Sequence, residues 1–146
     1  MKKAWSGEWI DHDGEFYQFD RLKLTPPIPK APIPIWVGGI SDFALKRAAR
    51  NDGWLSDLQT TDEILECIRK VRAYRRELGK SEDCDVMASA SDAAGIDGYA
   101  RLGDGGVTHI LTMPWPFYPN DDVDELTQKR EALQRFGEDF IAPMNA

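Results

Sequence analysis

The residues of this chain best placed to do chemistry are two adjacent glycines. The apolar run Pro34-Ile35-Trp36-Val37 stops at Gly38-Gly39, and Ile40 and Ser41 lead into Ala44-Leu45-Lys46-Arg47-Ala48-Ala49-Arg50, a segment of helical character. A strand that ends in glycines at the start of a helix leaves bare backbone N–H groups at the positive end of the helix dipole. Such a turn suits an anion, a phosphate above all. Glycine lets the ligand reach the main chain because no side chain intervenes. The same pair can also serve as nothing more than a tight connection.

Other groups of chemical interest are scattered. Asp52, Asp57 and Ser89 fall near expected strand ends and could touch a ligand, although turn and cap roles are commoner for these types. His12 lies in a region expected to be a solvated hairpin. Paired carboxylates, a nucleophilic triad and a metal constellation do not emerge. The two cysteines, Cys67 and Cys84, fall short of the four ligands of a structural zinc site. Cys67 lies among apolar helical positions and is expected to be a buried free thiol in a reducing compartment.

The elements that must position these groups can be read in order. Asp13-Gly14 is a turn signal, and residues 5–24 alternate imperfectly, so a β-hairpin is expected there. Residues 25–34 carry five prolines and read as an extended arm. Strand Ile35–Val37 then leads to a helix over Asp42–Arg50, with Phe43, Ala44, Leu45 and Ala48 on its covered side. Strand Trp54–Leu55 follows. Thr60-Thr61-Asp62-Glu63 reads as a capping box, with a helix behind it that covers Ile64, Leu65, Ile68, Val71 and Leu78 and stops at Gly79. Asp85–Ala90 is a third strand, and residues 93–103 form a short helix weakened by Gly95 and Gly98. Val107–Met113 is a fourth strand, ended by Pro114-Trp115-Pro116. The last helix runs over 121–141, with Val123, Leu126, Leu133, Phe136 and Phe140 on one stripe. Four strand–helix alternations predict a parallel sheet with covering helices.

Composition bounds the function. With 146 residues, 42% hydrophobic and 29% charged, the chain fits one ordinary globular domain. No apolar run approaches the ~20 residues that span a membrane. The N-terminus, Met1-Lys2-Lys3-Ala4-Trp5, lacks the apolar stretch of a signal peptide, so a cytoplasmic protein is expected. A net charge of −7 disfavours nucleic acid unless bases cluster. The one cluster, Arg69, Lys70, Arg72, Arg75 and Arg76, lies on an amphipathic helix and reads as its solvated outer face.

Taken in order, Gly14-Glu15-Phe16-Tyr17, the approach from Pro26 to Pro34, the strand from Pro34 to Gly39, the helix from Ala44 to Arg50 and Asp52-Gly53-Trp54 resemble the luciferase-like family. Its members are flavin- or deazaflavin-dependent oxidoreductases built on a TIM barrel. The resemblance is dense over residues 7–56 and looser beyond, where Gly105-Gly106-Val107-Thr108-His109 is similar to the family's final strand. It implies an α/β fold, the C-terminal half of a TIM (β/α)8 barrel. Residues 1–146 would form a single half-barrel domain, with a hairpin and Pro-rich arm over 1–33 and four β-α units over 34–146. It also implies that the amides of Gly38, Gly39 and Ile40, with Ser41, hold the phosphate of FMN or of the deazaflavin coenzyme F-420. Asp42, which a phosphate would repel, is expected to cap the helix instead.

Barrel sites lie at the C-terminal strand ends, here expected at Gly38-Gly39, Ser56-Asp57, Ser89-Ala90 and Pro114-Trp115. Trp36, Trp54 and Trp115 could line a flavin pocket. Core is the commoner place for Trp36 and Trp54, and Trp115 is balanced between the two. His109 falls near the N-terminal end of its strand, the stability face of a barrel. Catalytic residues stay unknown, because the family places them on the first four strands.

The function so implied is hydride or oxygen transfer on an unspecified small molecule by a flavin-type coenzyme, incomplete in this chain. The alternative is a non-catalytic half-barrel, a fragment or an assembly module. Four parallel units leave two strand edges and an apolar inner face, so a homo-oligomer or a separate N-terminal half is the expected partner. Neither nucleic acid nor membrane is expected.

Overall fold

A computed structural model describes residues 1–25, 29–118 and 125–145. The chain divides into two compact units, Met1–Pro34 and Ile35–Ala146. In the first, an antiparallel hairpin pairs β1 (Ile10–Asp13) with β2 (Gln18–Leu22). The Gly14 amide donates to the Tyr17 carbonyl at 3.1 Å and closes the turn, and Gln18 reaches back to Asp13. Glu15 and Phe16 lie in that turn, between the two strands. His12 is exposed and tilts against the Phe19 ring. Part of the proline-rich arm, Pro26 and Pro27, falls outside the described residues.

The second unit is a parallel four-stranded sheet in the order β3 (Trp36–Gly38), β4 (Gly53–Gln59), β5 (Asp85–Ala90), β6 (His109–Ile110). Its helices are α1 (Asp42–Arg50), α2 (Thr61–Glu77), α3 (Gly95–Asp104) and α4 (Leu126–Phe136). Register explains the core. Val37, Trp54 and Val86 align across the sheet, as do Ala88 and Ile110. This row packs on Leu45, Ala48, Ala49, Ile64, Ile68 and Val71 from α1 and α2. The alternate residues Leu55, Met87 and His109 align on the other face and stay partly or fully exposed. Beneath α3 and α4, the rings of Tyr99, Phe117, Phe136 and Phe140 form a cluster with centroids 4.7–6.4 Å apart.

The α2 start and stop follow the expected chemistry. The Thr60 side chain accepts from the Glu63 amide while the Glu63 carboxylate accepts from the Thr60 amide. Gly79 takes φ +66°, and Lys80 and Gly79 donate to the carbonyls of Arg75 and Arg76, a Schellman stop.

Several expectations need correction. Phe43 is 89% exposed, because the buried stripe of α1 is Ala44, Leu45, Ala48 and Ala49. Leu78 caps α2 and is exposed. The fourth strand shrinks to two residues, since only His109 and Ile110 align with β5, leaving Leu111 and Met113 exposed. The last helix is described from Leu126. Val123 lies outside the described residues, Leu126 and Leu133 are exposed, and Ala132 and Phe136 are the buried positions.

The largest correction is Arg75. Instead of facing solvent it is buried and donates to four backbone carbonyls, those of Ser81, Ala49, Asn51 and Asp83. An arginine fork can serve the ends of several loops at once. It ties the segments that lead into β4 and β5. Arg69 and Arg76 remain exposed, paired with Glu66 and Glu82.

Candidate functional site

The Gly38-Gly39 loop leaves the C-terminal end of β3 and enters α1. Gly39 has φ +105°, a conformation that L side chains rarely adopt, and a Cβ there would stand 3.0 Å from that of Ala44. Above Gly38 there is room: its nearest neighbour, the Leu55 carbonyl oxygen, would lie 3.9 Å from an added Cβ. Ser41 is the N-cap of α1, and its hydroxyl accepts from the Ala44 amide at 3.3 Å. Among the described residues, the amides of Ile40, Asp42 and Phe43 have no hydrogen-bond acceptor in the chain. They sit on an exposed turn at the positive end of a helix.

Two side chains brace this loop. Trp54, fully buried on β4, donates its indole N–H to the Gly39 carbonyl at 2.9 Å. Asp42 does not cap α1, because Ser41 does. It lies against Tyr74 of α2, where burial first and the Asp42 carboxylate second push the Tyr74 phenol above its ordinary value. Lys46 rests over the same ring at 5.2 Å.

The neighbouring loop is held by Asp92. Its carboxylate accepts from both the amide and the hydroxyl of Thr61, at 2.7 and 2.8 Å, tying the end of β5 to the start of α2. These bonds hold the Asp92 pKa below its ordinary 3.8, the Thr61 hydroxyl contributing most. A carboxylate depressed in the folded state stabilises above its unfolded value, and the benefit fades as pH falls through the folded value. Asp92→Asn should therefore lower the urea midpoint at neutral pH and converge with the wild type as pH falls through the lowered folded-state pKa of Asp92. Curves that stay parallel at every pH would assign the acid sensitivity elsewhere.

The other candidates separate. Asp52 accepts from the Ile35 amide before β4 begins, at the opposite end of the strands from the glycine loop. Asp57 accepts from the next amide, that of Leu58, inside an irregular stretch of β4. Ser89 donates its amide to the Ser56 hydroxyl. Because β4 continues to Gln59, Ser56-Asp57 does not end it, and β6 stops at Ile110, well before Pro114. Trp115 opens a short 3-10 turn and receives Lys129 on its ring.

Of the strand tryptophans, only Trp54 is core. Trp36 lies on the other face, with its ring 4.9 Å from that of His109. His109 begins its strand as expected, with Nδ1 at 2.8 Å from the Thr108 hydroxyl. Cys67 is buried, as its helical position predicted. Cys84 is half-buried, and that burial pushes its thiol above the ordinary value. Among the described residues no three His, Cys, Asp or Glu side chains are placed to hold a metal ion. A cavity of about 530 Å³ opens at the C-terminal ends of β5 and β6, with Ser89, Tyr99, Thr112, Met113 and Phe117 in its wall.

Comparison with known proteins decides the family. The model of the luciferase-like monooxygenases matches residues 1–105. The chain belongs to the luciferase-like monooxygenase family. An uncharacterized protein of Mycobacterium tuberculosis (strain ATCC 25618 / H37Rv) is 38% identical over 138 residues, covering 94% of this chain and 48% of that protein. The sulfoquinovose monooxygenase of Agrobacterium fabrum is 31% identical over 88 residues, 57% of this chain and 23% of the enzyme. This luciferase-like chain thus spans about half the length, or less, of the curated relatives it matches.

Among solved structures, the coenzyme F420 dependent tetrahydromethanopterin reductase from Methanopyrus kandleri superimposes with a TM-score of 0.69 at 13% identity. The superposition covers 96% of this chain and 59% of the reductase. That likeness is one of fold, and it places the parallel sheet and its helices as part of a luciferase-like barrel. No helix among the described residues is long and apolar enough to cross a membrane.

Proposed function

We propose that this chain supplies the phosphate-binding half of an oxidoreductase that uses a flavin-type coenzyme, FMN or the deazaflavin F-420. The observation that carries the reading is the set of unpartnered amides at Ile40, Asp42 and Phe43 around a glycine at φ +105°. Gly38 leaves that loop open to close approach, and Ser41 caps the helix that follows it. The residues fit a phosphate, with one opposing charge nearby at Asp42. The coenzyme, when bound, would supply hydride transfer or oxygen activation. The chain's own part is to hold and orient its phosphate end. The substrate is a small molecule, and the setting is cytoplasmic, where free thiols such as Cys67 and Cys84 persist. In domain terms, residues 34–146 form four β-α units of one half-barrel domain and residues 1–33 its arm.

Leu55, Met87 and Trp36 on the incompletely covered sheet face, with one edge each of β3 and β6 unpaired among the described residues, favour completion by further strands. Those strands come from an N-terminal half or a second copy. The same observation supports the alternative, a non-catalytic assembly module. Fluorescence titration separates the two: saturable micromolar binding of FMN or F-420, tighter than that of riboflavin, is expected. No saturation at millimolar coenzyme would favour the module, and sedimentation would then show whether copies associate.

A further inference from the structure

The geometry points to Trp54 as the positioning residue that aims the phosphate-binding amide, an inference that rests on the coenzyme reading above. A trans peptide holds its C=O and the following N–H in one plane, pointing in opposite directions. The Gly39 carbonyl is drawn inward by the indole N–H of Trp54 at 2.9 Å. The Ile40 amide, the other end of that same peptide, therefore faces outward, toward the open space above the turn.

Trp54 is fully buried on β4, one strand away, and packs among α1 and α2 residues. Its ring is thus fixed independently of the loop, and the loop takes its orientation from the ring. Gly39 at φ +105° has the freedom to rotate that only a glycine enjoys. Without an anchor its peptide could turn over and present a carbonyl oxygen to the phosphate. A buried indole also needs an acceptor for its own N–H, and among the described residues the Gly39 carbonyl is the partner it has. The ring and the glycine are therefore a matched pair.

The test compares FMN with riboflavin, which lacks the phosphate, on the full chain. In Trp54→Phe the ring remains and the donor is lost. FMN affinity should fall about 10-fold, the loss of one well-placed hydrogen bond, while riboflavin affinity changes less than about 2-fold. Equal losses for both would reduce Trp54 to a packing residue and overturn the inference. Should the variant fail to fold, the ¹⁵N-labelled wild type gives the answer. The Ile40 amide resonance should move with FMN and with inorganic phosphate, and not with riboflavin. An unmoved Ile40 amide beside shifting Asp42 and Phe43 amides would overturn it. Wild type that binds neither FMN nor F-420 better than riboflavin would remove the coenzyme reading itself, and this inference with it.

Discussion

Gly53→Ala should destabilise the protein by about 3 kcal/mol, the upper range for forcing extra volume into a packed site. The reason is the Trp36 indole, which lies across Gly53 on the neighbouring strand on its way to His109. A Cβ at position 53 would meet Trp36 Cδ1 at 2.6 Å, Nε1 at 2.8 Å and the Asp85 carbonyl oxygen at 2.7 Å. The indole can swing aside, but the Asp85 carbonyl belongs to the β4–β5 pairing and cannot move without breaking it. Urea unfolding should show a lower midpoint at unchanged slope. A cycle with Trp36→Ala apportions the effect. In that background Gly53→Ala should cost less but not become neutral, because the carbonyl contact persists. A neutral Gly53→Ala in the presence of Trp36 would contradict the packing described.

The second large effect is on ligand binding. Gly39→Val should weaken FMN binding about 30-fold, the worth of one or two charge-assisted hydrogen bonds. It should also lower stability by about 1–2 kcal/mol through backbone strain. Gly38→Ala provides the contrast. Gly38 has no positive φ, and an added Cβ meets nothing closer than 3.9 Å. It should leave stability unchanged within about 0.5 kcal/mol, with any effect confined to ligand approach. Isothermal titration and thermal melts on both variants check this. Equal behaviour of the two would show that glycine at 39 serves space alone and not conformation.

Which features could be read in the sequence follows from how local their causes are. Thr60 and Glu63 make α2 begin, and Gly79 makes it end, through groups within a few residues of one another. The Gly38-Gly39 turn is local in the same way. Arg75 shows position overriding charge. It stands four residues after Val71, on the stripe Ile64, Ile68, Val71, and so faces inward, a signal present in the spacing. Phe43 illustrates the converse: its size suggested burial, whereas the stripe of small residues beside it sets the face that packs. The brace from Trp54 to Gly39 spans fifteen residues and two elements. No pattern along the chain announces it, since it depends on the reach of a ring across paired strands. β6 is shorter than the run Val107–Met113 because β-branched residues favour strands wherever they stand, while pairing needs a partner, and only His109 and Ile110 align with β5.

Arg75, with Lys80 donating to the Arg50 carbonyl and Asp52 accepting from the Ile35 amide, cross-links the segments that enter the sheet. Every one of these ties lies at the rim opposite the glycine turn. The proposed phosphate site and these cross-links thus fall at opposite ends of the same strands. On the proposed function, substitutions in the loop at Gly38-Gly39 would alter coenzyme binding while these distant anchors hold their grip on the strand entries.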